Sequence, residues 1–181
     1  MPAAITSDLT MKTLLKQYPG ARRALFSAFH VGGCQSCAYQ LEETLEEVCR
    51  NHEIEIEGAL KCLTESQAHD QSMLISPQDF KLMLDREEEY VLLDTRTREE
   101  FEAITLPGSR LMTQDVQNSL FAEKDDQTKV ILIDHQGRSV LDHCAWFRGH
   151  GLPETYGVDG GIDRYAKEVD SSIPRYRLEM D

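Results

Sequence analysis

A regular alternation of strand and helix patterns after residue 75 constrains the fold of this chain more than any other feature. Short apolar runs at 90–94 (YVLLD), 129–134 (KVILID) and 155–158 (TYGV) have the length of buried strands, and helical patterns separate them. Continuous apolar runs of this kind are typical of parallel strands that are covered on both faces. The pattern predicts an α/β fold with a parallel sheet and helices on both faces.

The first 63 residues follow another pattern, which predicts a small all-α domain. Thr10 is positioned to cap a first helix, which ends before Pro19. The clearest periodicity of the chain predicts a helix that carries on one face Leu41, Leu45, Val48, Cys49 and His52. A last short helix is predicted over 55–63 (EIEGALKCL).

The stretch 64–72 (TESQAHDQS) has no sustained pattern and almost no large apolar residue, so we predict a linker at 64–74. The expected organisation is a helical domain at 1–63, the linker at 64–74 and the α/β domain at 75–181. Within the α/β domain, Ser76 is expected to cap a helix, and Thr97 with Glu100 is expected to form a capping box.

Charge and hydropathy restrict the partners of the chain. It carries 19 basic and 32 acidic residues, a formal net charge of -13, which repels phosphate backbones and anionic lipid surfaces. No apolar run approaches the roughly 18 residues of a membrane helix, and the start lacks a secretory signal pattern. We expect a cytoplasmic protein that binds neither nucleic acid nor membrane.

The five cysteines of the chain include one pair, Cys34 and Cys37, at a spacing suited to redox chemistry or to metal binding. A complete metal site requires about two further ligands. The candidates are His30, Cys49, His52 and Cys62, although packing on an apolar helix face also explains Cys49. The expected cofactor of such a site is zinc or an iron–sulfur cluster.

Three motifs in the second half resemble single-domain rhodaneses, which are sulfurtransferases. They are VLLDTRTREEF at 91–101, LPGS at 106–109 and GGIDRYAKEVDSSIPRY at 160–176. The order and spacing agree with that family over roughly 100 residues. The resemblance implies a rhodanese-like fold and a catalytic loop after the strand at 129–134.

The loop at that place departs from the family pattern. In active rhodaneses it reads C-x-x-G-x-R-S, and its cysteine carries sulfur as a persulfide. This chain has a degenerate loop instead: Asp134, His135, Gln136, Gly137, Arg138 and Ser139. With Asp134 in place of the nucleophile, we expect no standard rhodanese activity.

Asp134 is expected to act as a structural cap, because backbone N–H groups and the helix dipole stabilise a carboxylate there. Cys144 shares a helix face with Val140 and Phe147, so we predict a buried core thiol. Asp94 and Arg96 are predicted to hold strand ends together by hydrogen bonds.

The stretch 5–63 resembles a small helical family known as domain of unknown function 1858. The matching features are Pro19, the pair Cys34 and Cys37, and the Glu43-Thr44-Leu45 segment. This resemblance implies a helical module linked to redox, sulfur or iron–sulfur chemistry.

Three functional hypotheses follow. The first is a non-catalytic rhodanese-like module that binds a protein partner of sulfur or redox metabolism, or a small anion, and is tethered to a thiol-bearing helical domain. The second is a sulfurtransferase or persulfide carrier that uses Cys34 or Cys37, or a metal-binding protein. The third is a purely structural role with inert thiols.

Overall fold

The computed structural model describes residues 4–32, 38–86, 88–123 and 127–176. It divides the chain into two units, residues 1–72 and residues 73–181. Within the described ranges, no helix combines the length and the apolar character that crossing a lipid bilayer demands.

The first unit consists of helices in its described part. They are α1 (Met11–Gln17), α2 (Ala21–Phe29), α3 (Leu45–Asn51) and α4 (Ile56–Ser72). Thr10 caps α1 by accepting a hydrogen bond from the backbone N–H of Thr13 at 3.3 Å, as the sequence predicts. The helices enclose a core that includes Met11, Leu14, Leu25, Leu45, Val48 and Leu63.

Two predictions for this unit are wrong. Helix α3 begins after Thr44 and not at Leu41, because Thr44 and Glu47 form a capping box that fixes its start. The predicted linker at 64–74 is mostly helix, since α4 continues to Ser72. The carboxylate of Asp70 near the end of α4 is 1% exposed and forms an ion pair with Arg23 of α2, a contact that holds this polar stretch in the helix.

The second unit alternates strands and helices around a parallel sheet, which confirms the predicted α/β fold. Its strands occur in the order β1–β5–β4–β2–β3, and every neighbouring pair is parallel. The elements in chain order are β1 (Leu74–Ile75), α5 (Pro77–Asp85), β2 (Val91–Asp94), α6 (Arg98–Ala103), β3 (Arg110–Leu111), α7 (Gln114–Glu123), β4 (Val130–Ile133), α8 (Val140–Gly149), β5 (Thr155–Val158) and α9 (Gly161–Glu168).

The central strand β4 is buried on both faces because its side chains enter two separate core clusters. Val130 and Leu132 face a cluster that contains Phe147 of α8. Ile131 and Ile133 face the other cluster, which contains Phe80 of α5 and Tyr165 of α9. Alternation along a strand sends successive side chains to opposite faces, so an unbroken apolar run is what a doubly covered strand needs.

The helix starts of this unit follow their sequence signals. Ser76 accepts a hydrogen bond from the backbone N–H of Asp79 at 3.0 Å, with Pro77 in the first turn of α5. Thr97 and Glu100 form the predicted capping box at α6. Because the strands are parallel, β2 and β4 end at the same edge of the sheet, and the residues after them lie together there.

Candidate functional site

The loop between β4 and α8 surrounds the side chain of Asp134, which is 5% exposed. Its carboxylate accepts hydrogen bonds from the backbone N–H groups of Gly137, of Ser139 at 2.9 Å and of Val140 at 3.2 Å. The Ser139 hydroxyl donates a further bond at 3.0 Å. The first N–H groups of a helix lack partners within the helix. Asp134 therefore caps both the loop and α8.

Two glycines let this loop close against the start of α9. Gly137 has a φ of 75°, in the left-handed region that glycine adopts without strain. A Cβ atom added at Gly137 would lie 2.6 Å from the backbone nitrogen of Gly160, so a side chain there would push the two segments apart. The N–H groups of Ile162 and Asp163 donate to the carbonyls of Asp134 and His135 at 2.9 and 3.0 Å. The loop is thus held from inside by the Asp134 carboxylate and from outside by backbone N–H groups of α9.

A buried ion pair lies at the end of the neighbouring strand β2. The side chains of Asp94 and Arg96 are 0% and 1% exposed, and their closest atoms are 2.7 Å apart. Arg96 also donates to the carbonyl of Ile104 at 2.6 Å. Burial opposes the charge of Arg96, but hydrogen bonds with Asp94 and Tyr176 outweigh it and raise the pKa of the guanidinium above its ordinary value. The pair thus joins the end of β2 to the end of α6, whereas the sequence predicts hydrogen bonds between strand ends.

Tyr176 connects the last described part of the chain to this ion pair. Its hydroxyl donates to Oε1 of Glu100 at 2.6 Å and accepts from Nη1 of Arg96 at 2.9 Å. Burial and the hydrogen bond to Glu100 raise the pKa of Tyr176 to about 12. Burial favours the neutral form of Glu100, yet hydrogen bonds from Tyr176 and Thr97 leave its carboxyl pKa below the ordinary value.

The aromatic ring of Tyr176 lies on the ring of His135, the second residue of the loop. The ring centroids are 4.2 Å apart and the planes differ by 11°. Nε2 of His135 lies 3.1 Å from the Tyr176 carbonyl oxygen, which can only accept, so Nε2 carries the proton. Next to Tyr176, Arg175 makes two hydrogen bonds to Asp163, at 2.8 and 3.0 Å. These bonds lower the pKa of the Asp163 carboxyl.

The remaining loop residues face outward. Gln136, Arg138 and Ser139 are exposed. Gln136 lines a small cavity of about 210 Å³ together with Asp163, Arg175 and Tyr176. Cys144 is fully buried in the core beneath α8, which agrees with its predicted packing role. The loop therefore exposes polar side chains to solvent and keeps its one carboxylate inside.

The predicted thiol and metal residues of the first unit are spread over different environments. Cys34 and Cys37 lie outside the described residues. Cys49 is 2% exposed in the core, and Cys62 is half-buried on α4. Burial raises the thiol pKa of both, and the charge of Glu65 adds to the effect at Cys62.

His30 ends α2 in the left-handed conformation, with a φ of 58°. Across the described ranges, no group of three or more His, Cys, Asp or Glu side chains is arranged to hold a metal ion. The structure therefore does not bring the candidates His30, His52, Cys49 and Cys62 together as a set of metal ligands.

Sequence reasoning missed Tyr176, Arg175 and Glu100 as part of this site. Tyr176 is 41 residues from His135 and 80 from Arg96 along the chain. No local pattern predicts a contact across such separations. The one local signal is the segment IPRY at 173–176, which follows the last helix and combines apolar, basic and aromatic residues.

Comparison with known proteins connects this geometry to a family. A model of the Rhodanese-like domain matches residues 76–168, slightly more than half of the chain. The Adenylyltransferase and sulfurtransferase UBA4 of Candida albicans is 24% identical over 115 residues, 59% of this chain and 26% of that protein. The chloroplastic Rhodanese-like/PpiC domain-containing protein 12 of Arabidopsis thaliana is 32% identical over 97 residues, 49% of this chain and 31% of that protein.

The chain thus spans between a quarter and a third of the length of these two relatives. The solved structure of reduced Bacillus anthracis CoADR-RHD shares the fold, with a TM-score of 0.50 and 12% identity over 83% of this chain and 24% of that chain. The family match covers β2 to β5, the loop after β4 and all of α9, and begins just after β1. The chain belongs to the Rhodanese-like domain family.

Proposed function

We propose that the rhodanese-like domain of this chain forms no persulfide and serves as a docking module for a protein partner in sulfur or redox metabolism. One observation carries the proposal: a carboxylate, and not a thiol, accepts the N–H groups of the loop that follows β4. A carboxylate oxygen cannot take up sulfane sulfur. The names of the matched relatives include sulfurtransferase, which supports the link to sulfur chemistry.

The same carboxylate argues against a small anion as the ligand of this loop. The donors that would bind an anion already bond to Asp134, and the negative charge of Asp134 would repel a second one. The exposed loop side chains Gln136 and Arg138 instead present donors and one cation on a chain of net charge -13. A protein surface with acceptor groups complements such a loop better than a free anion does.

The first unit is proposed to be the thiol-bearing part of the protein. The resemblance to domain of unknown function 1858 and the pair Cys34 and Cys37 support a module that switches redox state, accepts sulfur or holds zinc or an iron–sulfur cluster. In this proposal the rhodanese-like domain binds the protein partner, and the helical module carries the reactive thiols. The helical module comprises the predicted domain at 1–63 with the rest of α4.

The test is a thiosulfate:cyanide sulfurtransferase assay on the full chain, with mass-spectrometric mapping of sulfane sulfur after incubation with thiosulfate. We expect background turnover and no sulfur on residues 75–181. The matched variants are Cys34→Ala, Cys37→Ala and Cys144→Ala. Stoichiometric sulfur on Cys144 would overturn the proposal.

Turnover that disappears in Cys34→Ala would instead assign a persulfide carrier to the helical module and make the rhodanese-like domain its docking part. Metal analysis and a visible spectrum of anaerobically purified protein then separate thiol chemistry from a metal site. A partner captured by the wild-type chain, and lost on Arg138→Glu, would support docking at the loop. Retention of that partner by Arg138→Glu would place docking elsewhere.

A further inference from the structure

The segment Ile173–Tyr176, which we call the strap, lies along one side of the loop. The Tyr176 ring covers His135 at a centroid distance of 4.2 Å. His135 is only 8% exposed, whereas its loop neighbour Gln136 is exposed. The strap thus covers the side of the loop formed by His135 and leaves the side of Arg138 open.

Polar contacts with four residues fasten the strap. The Tyr176 hydroxyl bonds to Arg96 and Glu100, and its carbonyl oxygen accepts from His135 at 3.1 Å. Arg175 bonds to Asp163, whose own N–H donates to the carbonyl of His135. His135 belongs to the loop, Asp163 bonds to it, and Arg96 belongs to the ion pair beside it, whereas Glu100 caps α6. The position of the strap therefore depends mainly on residues that form the site.

The strap also has the character of a segment that can be released. Pro174 and Arg175 are exposed, and Tyr176 and Ile173 are only half-buried. Exposed ion pairs contribute little to stability, and segments with few buried apolar contacts open at low cost in free energy. Opening would remove the Tyr176 ring from His135 and take away one wall of the surface cavity that Gln136, Asp163, Arg175 and Tyr176 line.

We propose that the strap is an autoinhibitory contact: it occupies the His135 side of the loop, and a docking partner must displace Tyr176 to reach that side. This inference rests on the proposed function of the loop as the docking site. It adds that the free protein is mostly in the closed state and that loosening the Tyr176 anchors strengthens docking.

The experiment uses the full chain with Asp134→Cys as a reporter thiol inside the loop. We measure the reaction of this thiol with a bulky aromatic disulfide through the absorbance of the coloured thiolate that it releases. The rate measured for the same chain with Asp134 is subtracted. We compare the intact strap with Tyr176→Phe, which keeps the ring and loses the hydroxyl anchors, and with Tyr176→Ala. Tyr156→Phe, at a half-buried tyrosine that bonds to Glu154, is the control.

We expect the Tyr176→Ala chain to react about 10-fold faster than the chain with the intact strap. When the strap is closed in most molecules, the reaction rate rises in proportion to the fraction of molecules in which it is open. Tyr176→Phe should lie between the two, and Tyr156→Phe should have no effect. Equal rates in all four proteins would overturn the inference. The pKa of the reporter thiol is a separate measurement. A value near the ordinary one of about 8.5 would show that the backbone N–H groups of the loop do not stabilise an anion at position 134. The ratio of the reaction rates would still report on the strap.

A second measurement keeps Asp134 and avoids loss of the fold. Carbethoxylation of His135, mapped by mass spectrometry, should be slow in the wild-type chain and several-fold faster in Tyr176→Phe. His143, which is half-buried on α8, is the internal reference. An unchanged ratio of His135 to His143 modification would show that the hydroxyl anchors do not hold the strap closed.

Discussion

Tyr176 and His135 lie face to face, 4.2 Å between ring centroids, while a hydrogen bond of 3.1 Å joins the His135 ring to the Tyr176 carbonyl. One residue near the end of the described chain therefore contacts the loop twice. Through its hydroxyl, Tyr176 also contacts Arg96 and Glu100. These contacts make the pH dependence of the site predictable.

In alkaline solution, Tyr176 should ionise later than an ordinary tyrosine. Its pKa of about 12 is above the unfolded value, so its contribution to stability is present below pH about 10 and is lost as pH rises toward 12. The measurement is a tyrosinate absorbance titration of the wild-type chain and of Tyr176→Phe. The difference curve should have its midpoint near 12. A midpoint near 10 would show that the hydroxyl is not held as described.

In acid, the strap should lose its Arg175 anchor. Arg175 lowers the pKa of Asp163, so the stabilisation is present above the ordinary carboxyl pKa and is lost as pH falls through the lowered one. Arg175→Gln should move the pKa of Asp163 back upward, measured by carboxyl-carbon NMR. Arg98→Gln, on exposed α6, is the control and should leave Asp163 unchanged. No movement in Arg175→Gln would contradict the pairing.

Removing the Asp134 carboxylate should destabilise the second unit. Asp134→Ala leaves the N–H groups of Gly137, Ser139 and Val140 without their acceptor, and an unsatisfied donor costs about 1–3 kcal/mol. Urea unfolding compares this variant with Asp115→Ala, at an exposed position of α7. If both variants lose the same amount, Asp134 is not the cap of the loop.

Breaking the buried ion pair should cost more. Arg96→Met leaves Asp94 charged and buried, with an expected loss of about 3–5 kcal/mol in the free energy of unfolding. The double variant Asp94→Leu with Arg96→Met should recover part of this loss, because no charge then remains without a partner. Additive losses in the double variant would show that the two side chains do not interact strongly.

The described thiols should react slowly in the native protein. Cys49 and Cys144 are buried, and the pKa values of Cys49 and Cys62 are raised. Timed alkylation with mass-spectrometric mapping should therefore modify Cys34 and Cys37 first, if they carry the reactive chemistry we propose. Modification of all five cysteines only after unfolding would favour a structural role for every thiol.

The sequence predicted the central part of the fold well because that part is encoded locally. The runs around 90–94, 129–134 and 155–158 became β2, β4 and β5 with boundaries shifted by at most one residue. Ser76 and Thr97 began helices where their side chains can cap. Apolar runs and caps act over a few residues, so a local pattern suffices to find them.

The parts that the sequence did not predict depend on distant contacts. The strands β1 and β3 have two residues each and exist because they pair with β5 and β2. The end of α4 has a polar sequence that looks like a linker, and Asp70 in this stretch forms an ion pair with Arg23 of α2. In the site, Asp134 was identified from its place after a strand, whereas Tyr176 reaches the loop from 41 residues away.

The shortness of β1 and β3 has a consequence for the behaviour of the protein in concentrated solution. These two strands are the edge strands of the sheet, the margins at which another strand could add, and each has only two residues. A long, flat margin offers a row of open backbone groups that invites another chain to add a strand. Margins this small give a neighbouring molecule little to extend, so the sheet is poorly suited to growing into fibrils.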